Sequence, residues 1–247
     1  MIPVCYVQPE KVADDFLTVD ATEAHHLRKV MRLKKGDPVV AVDGCGNGYK
    51  SEIEKFSGNR IECKIHARIR RFGEPMNFVT LAAGLSVGYK FDEVVQRATE
   101  LGVSRIIPLI SEKSKIKLDA ERRQKLKINR WRKVAIASMK QTGRSLIPEI
   151  TPFCDFVSLF SSVNNLGQKL LFDPSYAEKN IADVGEIDSV EGVTIIIGPE
   201  SGFSRAEIET ARENNCMLVS MGQRVLRTEN ASPVAVALVM NLLGELR

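Results

Sequence analysis

Aromatic residues are scarce in this 247-residue chain: one Trp and four Tyr leave little for a surface that binds single strands by stacking their bases. Its five cysteines (Cys5, Cys45, Cys63, Cys154 and Cys216) are odd in number and none stands in a C-x-x-C spacing. Neither a disulfide framework nor a zinc site is expected, and no metal is called for. No apolar run approaches the roughly 18 residues of a membrane span, and MIPVCYVQPE at the start has no basic stretch leading into an apolar one. The chain therefore reads as cytoplasmic, with no membrane partner. Its composition, 44% hydrophobic and 27% charged, is globular, and its length allows one large domain or two modest ones.

Net charge is only +4, but it is unevenly spread. Residues 111–147 hold twelve Lys or Arg against three acids, and residues 148–215 hold four against twelve. A basic stretch beside an acidic one fits an RNA-facing surface; a solvated helix face is the plain alternative.

The first seventy residues read as strands with one helix. Asp20 is placed as an N-cap with Glu23 three positions on, opening a helix that carries His25, His26, Arg28, Lys29 and Arg32. Residues 37–42 and 49–56 are β-rich and flank the glycine-dense DGCGNG. In 60–71, Ile61, Cys63, Ile65, Ala67 and Ile69 alternate onto one face. This is a small barrel-like unit, closed by RRFGEP, and the domains are set at 1–72 and 73–247. Beyond it, strands at 78–83, 106–110, 169–172, 194–197 and 217–220 alternate with helices, the pattern of an α/β domain with a parallel sheet. Phe91, Val94, Val95, Ala98 and Leu101 form a helical stripe ended by Gly102. A long helix is expected from Asp119 to Gln141, with Trp131, Val134, Ala135, Ser138 and Met139 inward and Arg123, Lys127 and Arg130 outward. The last helix is expected over 233–246, with Ser232 as N-cap and Pro233 at the first position. It is apolar nearly all round and so buried in the domain or against a second subunit.

Two loops concentrate the chemistry. In TIIIGPESGFSRAEI, Ser204 and Glu207 spell a capping box and Phe203 and Ile208 a hydrophobic staple, so a strand and a helix flank a loop with two glycines at a sheet edge where α/β folds bind ligands. It lacks the G-x-G-x-x-G and Gly-Lys-Ser/Thr signatures of nucleotide phosphate loops. One strand later, SMGQRVLRTENA crowds Arg224, Arg227 and Glu229 between a buried strand and a buried helix. Charges there need compensation, from a ligand or from an Arg–Glu network.

Taken together, IIIGPESGFSRAEIE and MGQRVLRTENASPVAVAL resemble the C-terminal signature of the RsmE family, the 16S rRNA uracil-N3 methyltransferases of the SPOUT superfamily. HHLRKVMRLKKGD at 25–37, FDEVVQRATELGVSRIIPLISEKS at 91–114 and KQTGRSLIPEI at 140–150 resemble further motifs of that family in order. The resemblance implies a PUA-like RNA-binding β-barrel followed by an α/β methyltransferase domain with a deep trefoil knot, working as a homodimer on 16S rRNA or the assembled small ribosomal subunit. It implies S-adenosylmethionine as cofactor, held by Gly198, Pro199, Glu200 and Gly202 on one wall, Met221, Gly222, Val225, Leu226 and Arg227 on another, and Leu171 and Phe172 on a third. Ser201 stands where the family usually has glycine, and Asn230-Ala231-Ser232 where it usually has Thr-Ala.

Methyl transfer to uracil N3 needs the imide proton removed and the resulting charge held. Arg227 or Arg224 is expected to stabilise that charge, and Glu229 or Glu200 to receive or orient the proton. RNA contacts are expected from His25, Arg28, Lys29 and Arg32 in the first domain and from Arg123, Lys127, Arg130 and Arg144 in the second. The competing readings are a ribose 2′-O-methyltransferase of the same superfamily and a non-catalytic RNA-binding assembly factor.

Overall fold

Two structural units organise the chain. A computed structural model, describing residues 2–85, 90–114, 121–163, 166–187 and 189–246, divides into one unit of Met1–Glu74 with Ile136–Ile147 and another of Pro75–Ala135 with Pro148–Arg247.

The first unit is a five-stranded sheet in the order β1-β3-β4-β5-β2. Its strands are β1 (Val4–Tyr6), β2 (Phe16–Val19), β3 (Pro38–Val42), β4 (Asn47–Ser57) and β5 (Arg60–Arg70). All pairings are antiparallel except β1 with β3. The period-two pattern does what it encodes: Ile61 and Cys63 of β5 meet Leu17, Val39 and Ile53 in the core, while Arg60, Lys64 and Arg68 stay exposed. DGCGNG makes the β3–β4 turn, and Asp43 holds it by accepting from the Cys45 and Asn47 amides at 2.8 and 3.1 Å and from the Tyr49 hydroxyl at 3.0 Å. Helix α1 (Ala21–His25) is shorter than expected and runs on as a π-helical turn through His26–Val30. Asp20 occupies the N-cap position, but its side chain caps nothing. Glu23, rather than folding back, accepts from Lys140 at 2.5 Å, so a long-range ion pair replaces the local capping box.

Fully buried runs build the second unit. Its strands are β6 (Val79–Gly84), β7 (Arg105–Ile110), β8 (Glu149–Ile150), β9 (Cys154–Asp155), β10 (Gln168–Phe172), β11 (Lys179–Asn180), β12 (Val193–Ile197) and β13 (Cys216–Ser220). The sheet is parallel throughout and ordered β11-β13-β10-β12-β6-β7-β8, with β9 also on β7. Every residue of β6 and β12 is buried, as strands covered on both faces require. The five strands expected from sequence all form. Their order was not legible: β12 inserts between β6 and β10, and β13 between β10 and β11.

Helices α2 (Lys90–Glu100), α4 (Phe156–Ser162), α5 (Arg205–Glu213) and α6 (Thr228–Leu242) belong to this unit. Helix α3 (Glu121–Thr142) begins in it and ends in the first unit; the expected start at Asp119 lies outside the described residues. α2 buries Phe91, Val94, Val95 and Ala98, the predicted stripe. α6 departs from expectation. It starts at Thr228, with Arg227 at the N-cap position, and Pro233 lies inside it. A proline inside a helix deprives the carbonyl four residues earlier of its amide donor. Here that carbonyl belongs to Glu229, and Arg97 of α2 donates to it at 3.2 Å. With the deficit met from outside, the helix continues through the proline, and Ser232 is a buried packing residue rather than a cap. The buried face of α6, with Ala235, Val236, Val239 and Met240, packs on α2, β6 and β12.

Candidate active site

Strand register brings three loops together. Leu171 pairs with Ile196 and Leu218, and Phe172 with Ile197 and Val219, so β10, β12 and β13 end level at their carboxyl edges. The segments that follow, beginning at Asp173, Gly198 and Met221, enclose a cleft of about 220 Å³. Of the residues expected there, Phe172, Gly198, Pro199, Glu200, Gly202, Met221, Gly222, Val225 and Leu226 line it. Leu171 does not: it is fully buried with Ala82, Ile196 and Leu218, because alternation along β10 turns its side chain into the core. Asp173, Ser175 and Thr228 also line the cleft; Thr228 lies within the RVLRTEN motif, but none of the three was expected as a cofactor contact.

The 198–203 loop is held from several sides. The capping box at Ser204 and Glu207 is complete, and Phe203 is buried. Thr228 Oγ1 donates to the Gly198 carbonyl at 3.0 Å, tying this loop to the start of α6. From the end of β7, Lys113 Nζ donates to the Phe203 carbonyl, while Ser201 Oγ donates to the Lys113 carbonyl, both at 2.8 Å. The two family departures thus have local partners, since Asn230 Oδ1 accepts from Arg97 at 3.4 Å. Gly202 has φ +68°, and Asp173 approaches it across the cleft. Behind the loop, Gly84 at the end of β6 is indispensable: a β-carbon there would fall on the backbone of Gly198 and Pro199. Gly84→Ala is expected to cost about 1 to 3 kcal/mol and to weaken ligand binding in the cleft. Thermal unfolding and ligand calorimetry check this; unchanged values in both would refute it.

Beside the cleft lies a more open groove lined by Lys90, Glu200, Val225, Leu226 and Arg227. Glu200, Val225 and Leu226 line both depressions. Lys90, the first residue of α2, was missed from sequence because it stands just ahead of the 91–114 motif, whose apolar stripe reads as packing. Its ammonium contacts the Glu200 carboxylate and lies 3.5 Å from Glu229 Oε1. The hydrogen bond to Glu200 keeps the lysine pKa above its ordinary value. Arg224 and Arg227 are both exposed, and among the described residues neither is ion-paired, so the alternative of an Arg–Glu network does not form there. The buried charge is Glu229, whose side chain is 12% exposed and whose Oε2 has no hydrogen-bond partner among the described residues.

This arrangement has close counterparts. Residues 74–240 match the RNA methyltransferase domain and residues 19–65 the RNA methyltransferase PUA domain. The ribosomal RNA small subunit methyltransferase E of Mesomycoplasma hyopneumoniae is 33% identical over 226 residues, covering 90% of this chain and 92% of that protein. The chain belongs to the ribosomal RNA small subunit methyltransferase E family. The Bacillus subtilis member is 28% identical over 227 residues, 90% of this chain and 88% of its own. A crystal structure of the Neisseria gonorrhoeae member bound to S-adenosyl methionine superposes with a TM-score of 0.83 at 25% identity over 98% of both chains.

The expected RNA contacts lie in different surroundings. In the first unit, His25, Arg28 and Lys29 line a second depression with Phe56 and Arg60, the Arg28 guanidinium 5.3 Å from the Phe56 ring centre; Arg32 is exposed. On α3, Arg123 is exposed, whereas Arg130 pairs with Asp92 and Lys127 lies 5.6 Å from the centre of the Phe153 ring. Arg144 corrects the sequence reading outright. It is 3% exposed and donates to Glu74 Oε2 through Nε at 3.1 Å and Nη2 at 2.7 Å, an internal ion pair out of reach of RNA phosphate. All five cysteines are free, and burial pushes the Cys63 and Cys216 thiols up to about 12, far from a nucleophilic thiolate.

Proposed function

We propose that this chain transfers the methyl group of S-adenosylmethionine to N3 of a uridine in 16S rRNA, free or in the small ribosomal subunit. The observation that carries the reading is the junction of a glycine-lined cleft with a groove lined by one carboxylate, Glu200, and two cations, Lys90 and Arg227. The cleft suits the cofactor: Met221, Val225 and Leu226 offer apolar surface to a purine, while the Asp173 and Glu200 carboxylates favour a sulfonium. Bound there, the cofactor supplies an electrophilic methyl carbon.

Uracil N3 carries a proton, and its lone pair is spread into two carbonyls, so attack requires deprotonation. Of the two glutamates, Glu200 is better placed to take the proton, because it lines both depressions while Glu229 lines neither. Arg227 faces the groove and serves the developing charge on a uracil oxygen; Arg224 lines the cleft and serves the cofactor. Holding both reactants in line contributes roughly 7 to 11 kcal/mol, and general-base help about 10² to 10⁴ in rate.

Binding of RNA is assigned to the basic surface of the first unit and the exposed cations of α3, so affinity should fall steeply as salt rises. The homodimer and the trefoil knot, both implied by the family, complete this reading. The exposed Val234 and Leu242 on the outer face of α6 suit the dimer contact. Nucleoside mass spectrometry of 16S rRNA from cells with and without the protein tests the activity. 3-Methyluridine should vanish with the protein; loss of a ribose-methylated nucleoside instead would overturn the N3 assignment.

A further inference from the structure

We propose that Lys90 is a catalytic and specificity-determining residue whose ammonium donates to a carbonyl oxygen of the target uracil. With Arg227, it holds the charge that appears when N3 is deprotonated. The inference rests on the N3 reading above.

The pairing edge of uracil presents an acceptor, a donor and an acceptor: one carbonyl, N3–H, the other carbonyl. The ionised groups of the groove supply the opposite set, a cation, a carboxylate and a cation in Lys90, Glu200 and Arg227. Cytosine, which presents an amino donor and an N3 acceptor, matches this set poorly, so the groove discriminates between the two pyrimidines.

Lys90 is also anchored in advance. A lysine ammonium on its four-carbon stem is ordinarily mobile. This one is fastened from the inner side by Glu229, a largely buried carboxylate that needs a cation. An ammonium fixed before substrate arrives stabilises charge without reorganising during the reaction. It carries three donors, of which Glu200 and Glu229 occupy two.

The step balances. The N3–H bond breaks and its proton passes to Glu200, the N3–C bond forms at the methyl carbon, and the C–S bond electrons leave with sulfur as a neutral thioether. As Glu200 is neutralised, its hold on Lys90 weakens, and the third donor of the ammonium, already at the uracil oxygen, takes up the charge accumulating there.

The test compares the full-length wild type, Lys90→Met and Lys90→Arg on small subunits reconstituted from transcripts with uracil or 5-fluorouracil. Fluorine acidifies the imide and lessens the need for a cation. Lys90→Met should lose on the order of 10² in kcat on uracil but less than about 10-fold on 5-fluorouracil, and Lys90→Arg should retain most activity. Without methyl donor, the wild type should bind a uridine target more tightly than a cytidine one, and Lys90→Met should lose that preference. Equal losses on both bases, or none, would assign Lys90 a merely structural role and overturn the proposal. If Lys90→Met also loses the donor by calorimetry, the Lys90→Arg comparison decides, and a loss unrelieved by fluorine overturns it. A wild-type product other than 3-methyluridine sinks the N3 reading itself, and the Lys90 assignment with it.

Discussion

Arg227→Ala is expected to lower turnover on the order of 10²-fold, about 2.7 kcal/mol of transition-state stabilisation, while donor affinity stays within a few-fold of wild type. The asymmetry follows from position. Arg227 lines the groove and not the cleft, it is exposed, and among the described residues its side chain has no ion-pair partner to lose. In the free chain its charge is screened by water; its effect appears once RNA docks and the groove is desolvated. Arg224→Ala is the internal control, because Arg224 lines the cleft: donor affinity should weaken while kcat at saturating donor changes little. Single-turnover rates with calorimetry of the donor separate the two. Equal kcat losses for both arginines would remove the distinction between groove and cleft.

Arg144→Ala is expected to destabilise the protein by about 3 to 5 kcal/mol without touching the chemistry. Arg144 and Glu74 are each 3% exposed at the side chain, and Glu74 Oε1 also accepts from the Ser145 and Leu146 amides, both at 2.8 Å. Removing the guanidinium leaves a buried carboxylate without its cation. Replacing both partners with methionine should not restore stability, because the two amides would then be orphaned at about 1 to 3 kcal/mol each. Denaturant unfolding of the two variants decides; wild-type stability in Arg144→Ala would mean that water reaches Glu74.

Local signals explain what could be read from sequence. TIII and the capping box at Ser204 and Glu207 place β12 and the start of α5 within one residue, because an apolar run and a capping residue act on their own neighbours. The two glycine-bearing loops after β12 and β13 stood out for the same reason, while their assignment to a cofactor came from the family resemblance. What escaped depends on partners distant in the chain. Pro233 reads as a helix start until Arg97 is seen to satisfy the Glu229 carbonyl. Arg144 reads as a surface cation at a helix end until Glu74 is found beside it. Lys90 gains meaning only when the register of β10, β12 and β13 brings the 198–203 loop and the start of α6 to α2. The insertion of β12 between β6 and β10 is likewise a property of the assembled sheet.

The most direct test is a crystal structure of this chain with S-adenosylmethionine. The account predicts the donor in the cleft between the 198–202 and 221–226 loops, its methyl carbon directed into the groove of Lys90, Glu200 and Arg227. A donor bound elsewhere, or one whose methyl carbon points away from that groove, would contradict it.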